Sequence, residues 1–253
     1  MRPTPDWLVR EPYTEIDLGT LKSGKEAQIN IVERTGDDGR TCVLARKFYM
    51  PRGVKQKGEL EALGLQRAST FTNDVQYREG RQFRKSRDRR AVNVMSNYGK
   101  RLLQDRWTNH EFDVMTKLWQ VGVNVPFPES FANDLFYLEY VGDLDGAAPQ
   151  LNGARLKRPQ LESAWEQLVD GLREITAAGI AHGDLSAYNM LWWEDRLWFI
   201  DFPQAVEIAE NPSGLDFLHR DVLNVCDWFK RRGIEHDPEE LFADLIGYAF
   251  GTA

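Results

Sequence analysis

The sequence predicts an α+β protein in which a strand-rich N-terminal half precedes a helix-rich C-terminal half. Residues 27–33 and 41–49 are rich in Val, Ile, Phe and Tyr, and the turn sequence Gly36-Asp37-Asp38-Gly39 lies between them, which is typical of an antiparallel hairpin. Apolar residues at spacings of three and four over 160–178 predict a helix that Gly179 ends. The change from alternating to helical periodicity is the basis of the fold class.

The remaining elements follow the same order. Apolar residues on one face predict a helix over 100–121, and two short strands are predicted near 127–131 and 135–140. Apolar residues between 215 and 229 predict another helix. The sequence Asp237-Pro238-Glu239-Glu240 supplies an N-cap, an N1 proline and an N3 glutamate, so a last helix is expected to begin there.

Composition narrows the class of protein. The chain has 253 residues, of which 42% are hydrophobic and 28% charged, as in an ordinary globular domain. We expect no membrane association and a cytoplasmic location, since no long uncharged apolar stretch is present. Cys42 and Cys226 lack metal-binding spacing and are expected to be reduced core thiols.

Basic residues are concentrated in one segment. Between Arg78 and Arg106 there are ten basic and three acidic residues, although the whole chain has a net charge of −7. Two interpretations stay open, namely a contact surface for a polyanion and a solvated loop whose charges keep it soluble.

The most informative stretch runs from His182 to Asp201. It contains His182-Gly183-Asp184-Leu185-Ser186-Ala187-Tyr188-Asn189, and Asp201 ends the apolar strand pattern 197–200. Phosphoryl transfer needs a carboxylate at the attacking hydroxyl and oxygen ligands for magnesium. The spacing therefore predicts a kinase-like site in which Asp184 orients or deprotonates the nucleophile, while Asn189 and Asp201 bind the metal.

Two further candidates precede this stretch. Lys47 lies late in the second predicted strand, where an inward-facing lysine can reach phosphates. Glu111 lies on the following predicted helix and can pair with Lys47, although a single helical glutamate is usually a surface residue. Only the order of the parts along the chain favours the pair.

A glycine-containing loop is predicted before the strand at 27–33. Residues 19–25 fit the first seven places of a Walker A motif, but Glu26 stands where the Ser or Thr should be and a strand follows instead of a helix. We therefore interpret Ser23, Gly24 and Lys25 as a short loop able to lie over phosphates.

These motifs together resemble the RIO family of atypical serine/threonine-protein kinases and ATPases. The family's marks occur in order as Ser23-Gly24-Lys25-Glu26-Ala27, Lys47, Glu111, Leu138-Glu139-Tyr140-Val141-Gly142, the stretch 182–189 and Ile200-Asp201-Phe202-Pro203-Gln204. The resemblance implies a two-lobed protein-kinase-like fold with an antiparallel-sheet N-lobe, a helical C-lobe, and ATP and Mg²⁺ bound between them.

The resemblance also assigns domains and roles. It implies an N-terminal lobe over residues 1–138, with a basic flexible insertion at about 51–98, and a catalytic lobe over 139–253, which together form one kinase domain. Glu139 and Val141 are expected at the adenine through their backbone, and Asp201 could itself accept phosphate. The short N-terminal segment and the uncharged C-terminal residues favour a compact, bacterial type of member, to which a ribosomal role carries over only weakly.

Alternatives remain at this point. The phosphate acceptor could be an unknown protein, the chain itself or water. A small-molecule phosphotransferase of the aminoglycoside or choline kinase type shares the same constellation, but the residues after Asp201 are few for its substrate-binding part. An ATP-gated factor that binds RNA or ribosomal particles is the third reading. Asp221 is similar to a helical aspartate of the family, which implies a brace for the catalytic loop, and the alternative is a solvent-facing helical residue.

Overall fold

The computed structural model describes residues 2–23, 27–49, 97–132, 135–143 and 145–251. These residues form two compact units. One contains the described residues within 6–112 and 129–139, and the other contains those within 1–5, 113–128 and 140–253. The predicted division into lobes at 138/139 stays a prediction.

The first unit is built on a five-stranded sheet. The strands are β1 (Tyr13–Ser23), β2 (Ala27–Gly36), β3 (Thr41–Tyr49), β4 (Pro128–Ala132) and β5 (Leu135–Glu139), and their order in the sheet is β1-β2-β3-β5-β4. The β1–β2, β2–β3 and β3–β5 pairs are antiparallel. The hairpin predicted from the turn at 36–39 is therefore present as β2–β3.

Alternation along β3 sends neighbouring side chains to opposite faces of the sheet. Arg46 lies opposite Asn30 and Tyr137, whereas Lys47 lies opposite Ile29 and Phe136. A shift of one residue in the strand register would exchange the two faces, so the β2–β3–β5 pairing fixes the direction of Lys47.

Helix α1 (Asn97–Val121) contributes to both units, because the division falls between Phe112 and Asp113. The second unit also contains α2 (Arg158–Ala177), α3 (Gly214–Lys230) and α4 (Pro238–Ala249). Gly179 follows α2 with φ +78°, a conformation that glycine adopts without strain, as the predicted helix end requires. None of the described helices combines the length and the apolar content needed to cross a membrane.

Two small antiparallel pairs complete the second unit. They are β6 (Ile180–Ala181) with β9 (Val206–Glu207), and β7 (Met190–Trp193) with β8 (Arg196–Phe199). Phe199 packs against α2 at Gly171, where an added Cβ would lie 2.3 Å from the Phe199 ring. Helix α2 therefore fixes the end of β8, two residues before Asp201.

The core of the second unit confirms most of the helical patterns. Leu168, Leu172 and Ile175 of α2 are buried, and α2 packs against α4. The Asp237 side chain accepts a hydrogen bond from the Glu239 backbone N–H at 2.8 Å, so the predicted N-cap of α4 is present. Both cysteines are free and buried, as predicted.

Candidate functional site

The loop that carries Asp184 is tied to the end of β8. The buried His182 ring forms a hydrogen bond through Nε2 with the Ile200 carbonyl at 3.1 Å, and its centroid lies 4.5 Å from that of Phe202. The short β6–β9 pair joins the residues directly before His182 to residues 206–207. These contacts join the two stretches 182–189 and 200–204, which were predicted to act together.

Asn189 connects the two stretches. Its side-chain Nδ2 donates to the Asp184 carbonyl at 2.8 Å, and its backbone carbonyl accepts from the Ile200 N–H at 3.0 Å. Because Nδ2 is the atom of this amide that faces Asp184, Oδ1 is the atom that stays available. It has no hydrogen-bond partner among the described residues. An amide oxygen held in this way is a suitable ligand for a hard cation.

Asp201 follows β8 in a left-handed backbone conformation, with φ +69°. Asp is one of the residues that tolerate this region, which otherwise costs free energy. The next residue, Phe202, is fully buried and anchors the turn. Asp201 lies near enough for its negative charge to act on Asp184.

The environment of Asp184 raises its pKa above the ordinary value of 3.8. Desolvation by the surrounding protein is the largest cause, although the side chain itself reaches the surface. The charges of His182 and Arg220 oppose this effect, and the charge of Asp201 adds to it. A carboxylate whose pKa is moved toward neutrality is better suited to accept a proton.

The other unit contains the predicted ion pair. Lys47 Nζ donates to Glu111 Oε1 at 2.8 Å and to Oε2 at 3.1 Å. Lys47 is 5% exposed and Glu111 is 1% exposed, so neither belongs to the surface. A buried ion pair is stable only with such good geometry, and it holds the ammonium of Lys47 in one place.

The residues expected at the adenine lie at the end of β5. Glu139 is the last residue of that strand, opposite Leu44, and the Val141 carbonyl accepts from the Ala148 N–H at 2.9 Å. Gly142 begins a tight turn, in which an added Cβ would lie 2.5 Å from the Gly146 carbonyl oxygen. The adenine contacts of Glu139 and Val141 stay predictions.

Two predicted parts of the site, the glycine-containing loop and the basic segment, lie partly outside the described residues. Ser23, predicted in a loop, is the exposed last residue of β1, whereas Lys25 lies outside the described residues. The basic segment from Arg78 to Arg106 lies outside them up to residue 96, and its remainder belongs to α1, where only the backbone is described.

Sequence reasoning left the two consecutive residues Arg220 and Asp221 out of the site. Asp221 is fully buried and accepts from the Gly183 and Leu185 backbone N–H groups at 2.7 and 2.8 Å. Burial raises its pKa, while these hydrogen bonds act in the opposite direction. Arg220 donates to the Gly183 carbonyl. Of the two alternatives that the sequence left open for Asp221, the hydrogen bonds from Gly183 and Leu185 bear out the brace for the catalytic loop. Its position agrees, because Asp221 lies three residues after Leu218 and four before Val225, on the apolar face of α3.

The donor set suits magnesium better than a transition metal. Among the described residues, no group of three or more His, Cys, Asp or Glu side chains could hold a metal ion. Asn189 and Asp201 offer oxygen atoms only, and Mg²⁺ usually takes few protein ligands and fills its coordination shell with water and phosphate. Two neighbouring carboxylates, Asp184 and Asp201, also favour a cation beside them.

Comparison with known proteins identifies the family. Residues 58–241 match the family model RIO1, described as the RIO domain. The chain belongs to the RIO family. The Haloferax volcanii RIO-type serine/threonine-protein kinase Rio1 is 30% identical over 240 residues, which are 95% of this chain and 72% of that protein. The Thermoplasma acidophilum Rio1 kinase is 36% identical over 135 residues, or 53% of this chain and 69% of the relative.

Solved structures agree on the fold. A Rio2 kinase–ADP/Mg²⁺–phosphoaspartate complex from Chaetomium thermophilum superposes with a TM-score of 0.62 at 20% identity, covering 90% of this chain and 61% of that one. The RIO kinase fold predicted from the sequence, with its antiparallel sheet followed by helices, is therefore confirmed. The expectation of a bacterial type stays a prediction.

Proposed function

We propose that this RIO-family chain is an ATP- and Mg²⁺-dependent kinase/ATPase. It transfers the γ-phosphate of ATP to a Ser or Thr hydroxyl, including its own, or to water by way of a phosphorylated Asp201. The observation that carries the proposal is the placement of Asp184, Asn189 and Asp201 around one loop, joined by the Asn189–Asp184 and Ile200–Asn189 hydrogen bonds.

In transfer to a hydroxyl, Asp184 orients the acceptor and takes its proton. The acceptor oxygen forms a bond to the γ-phosphorus while the bond from that phosphorus to the β,γ-bridging oxygen breaks, and ADP leaves. Asn189 Oδ1 and the Asp201 carboxylate hold magnesium, which when bound neutralises phosphate charge. The raised pKa of Asp184 agrees with its role as a proton acceptor.

Transfer by way of Asp201 uses a different nucleophile. A carboxylate oxygen of Asp201 forms the bond to the γ-phosphorus and ADP leaves, after which water releases phosphate and restores the carboxylate. The Chaetomium thermophilum Rio2 complex named above contains a phosphoaspartate, which supports this route by analogy.

The first unit supplies the groups proposed to hold the nucleotide. Lys47 binds phosphate oxygens through its ammonium, and Glu111 keeps that ammonium in position by two hydrogen bonds. Ser23 and Lys25 are proposed to contribute to the phosphate-covering loop, and the backbone of Glu139 and Val141 to bind adenine. RNA binding by the segment from Arg78 to Arg106 and a cytoplasmic location stay predictions.

The test is a labelling experiment. Purified protein is incubated with Mg²⁺ and γ-labelled ATP, and both free phosphate and label retained on the protein are followed for wild type, Asp184→Ala, Asp201→Ala and the control Asp170→Asn. Asp170 is an exposed carboxylate of α2 in the same unit. Loss of turnover in the first two variants but not in the control is expected.

The stability of the label separates the routes. Acid-stable label indicates phosphorylation of a hydroxyl, whereas label released by hydroxylamine indicates an aspartyl-phosphate. Turnover that survives both Asp184→Ala and Asp201→Ala would overturn the proposed site.

A further inference from the structure

Helix α3 presents two consecutive side chains to the loop that carries Asp184. Asp221 accepts from the N–H groups of Gly183 and Leu185 at 2.7 and 2.8 Å, and Arg220 donates to the carbonyl of Gly183. These three groups belong to three successive peptide planes. Arg220 holds the middle one, the peptide that joins Gly183 to Asp184.

We propose that Arg220 is a positioning residue that holds the Asp184 carboxylate in its reactive direction by anchoring the Gly183–Asp184 peptide. The inference rests on the proposed function of Asp184 and deepens it. Arg220 also lies near enough to Asp184 for its positive charge to act on that carboxyl.

The middle peptide needs this anchor because of Gly183. Glycine adopts many backbone conformations, so a peptide plane that follows it rotates more readily than one between two larger residues. Gly183 has φ +81°, and an added Cβ would lie 2.3 Å from the Gln204 carbonyl oxygen, so a larger residue cannot restrict the rotation. Asp221 fixes only the planes on either side. The guanidinium of Arg220 supplies the missing restraint on the carbonyl.

Arg220 is itself held in place. It extends from a helix, and its guanidinium carbon lies 4.9 Å from the centroid of the Phe217 ring, one turn earlier in α3. Although Arg220 is exposed as a residue, an arginine whose guanidinium is fixed in this way loses little further entropy when it binds the carbonyl.

The test compares Arg220→Met and Arg220→Lys with Arg173→Met in ATP turnover assays. Arg173 is the control, since it is a helical arginine of the same unit that likewise donates a hydrogen bond, to Asp244 at 2.8 Å, and lies over an aromatic ring, that of Tyr248. We expect Arg220→Met to lower kcat by about 10- to 100-fold with KM for ATP changed by less than about 2-fold, because displacement by about 1 Å misaligns a reacting group. Arg220→Lys is expected to recover part of kcat, as an ammonium can still donate to one carbonyl.

Two results would overturn the inference while leaving the proposed function in place. One is a kcat in Arg220→Met equal to that of wild type. The other is a fall in kcat no larger than the fall in Arg173→Met, when the two variants lose the same free energy of unfolding. Both are read against Asp184→Ala, which loses activity if the proposed function is right.

If wild-type protein shows no turnover, the proposed function fails and a second measurement decides the positioning role. The backbone amide of Asp184 belongs to the anchored peptide, so its ¹⁵N–¹H resonance should shift or broaden in Arg220→Met but not in Arg173→Met. An unchanged resonance for Asp184 in Arg220→Met would sink the inference.

Discussion

Gly183 shows how a single residue decides the geometry of this site. Its φ of +81° lies in the left-handed region, and its α-carbon passes so near Gln204 that a Cβ would lie 2.3 Å from that residue's carbonyl oxygen. Asp184 directly follows, so any movement that relieves the contact also displaces the carboxylate. Backbone conformation and chemistry are coupled at this position.

Replacement of Gly183 by alanine is therefore expected to impair both stability and turnover. The matched control is Gly39→Ala, since Gly39 has φ +79° but no atom within 4 Å of an added Cβ. The control should lose about 1–2 kcal/mol in free energy of unfolding from the left-handed conformation alone. Gly183→Ala should lose more, and only this variant should lower kcat. Chemical denaturation and ATP turnover measure the two effects, and equal losses in both variants would contradict the argument.

The pH dependence of turnover should report Asp184. A proton acceptor works in its ionised form, so the rate falls as the pH decreases through its pKa. Because desolvation raises this pKa, the fall should begin at a higher pH than a carboxyl with the ordinary value of 3.8 allows. Phosphate release is measured between about pH 4 and 8, with circular dichroism at each pH to confirm that the protein stays folded. A rate that stays constant throughout the pH range in which the protein is folded would refute the assignment.

At the scale of elements, β3 and α1 carry one ion pair whose partners are 64 residues apart in sequence. Register within the sheet fixes Lys47, and the helix fixes Glu111. Since both side chains are buried, removal of either charge leaves the other buried without this ion-pair partner.

Substitution of Lys47 by methionine should cost about 3–5 kcal/mol of stability and most of the ATP turnover, because Glu111 then stays buried without its ammonium partner. The double variant Lys47→Met/Glu111→Leu should recover much of the stability, since nonpolar side chains replace both charges, but none of the turnover. Lys117→Met is a control at an exposed pair. Recovery of turnover in the double variant would show that Lys47 has no role at the phosphates.

Elements with a buried apolar face could be predicted from the sequence, whereas others could not. The apolar periodicity of the sequence predicted where α2, α3 and α4 lie to within a few residues, because each of these helices buries one face. Strand β1 was missed, since it lies at the edge of the sheet and most of its residues are exposed, which removes the alternation that identifies a strand.

The same limit applies to the site. The motif spacing named Asp184, Asn189 and Asp201, because residues of one loop and its hairpin are close in sequence. Arg220 and Asp221 meet Gly183 from nearly 40 positions away, and no periodic pattern reports a contact between a helix and a loop. For Asp221, the family resemblance offered the role of a brace for the catalytic loop, and its position on an apolar helix face agrees with that role.

For the molecule as a whole, a net charge of −7 means that an anionic nucleotide binds only where local groups overcome repulsion. Lys47 and magnesium are the proposed sources of positive charge. Binding should therefore depend on the metal, and Asp201 should carry that dependence.

Thermal unfolding tests this expectation. Saturating MgATP at about 100 times its Kd should stabilise the protein by about 2.7 kcal/mol, and chelation of Mg²⁺ should remove most of the gain. Asp201→Asn should show no difference between ATP with and without Mg²⁺, whereas Asp170→Asn should behave as wild type. A gain that is insensitive to chelation would argue against the metal site.

The division of the chain into units has a practical consequence for dissecting the protein. Residues 113–128 belong to the same unit as the described residues of 140–253. Within this segment, the Asn124 backbone carbonyl accepts a hydrogen bond from the Phe199 N–H of β8, and the Asn124 side chain donates one to the Leu197 carbonyl. A fragment cut at residue 139 would therefore lose the segment that supports the strand leading to Asp201. Expression of the C-terminal half alone should give an unstable product, and a workable fragment would have to start before Asp113 and bridge the excised strands β4 and β5 with a linker.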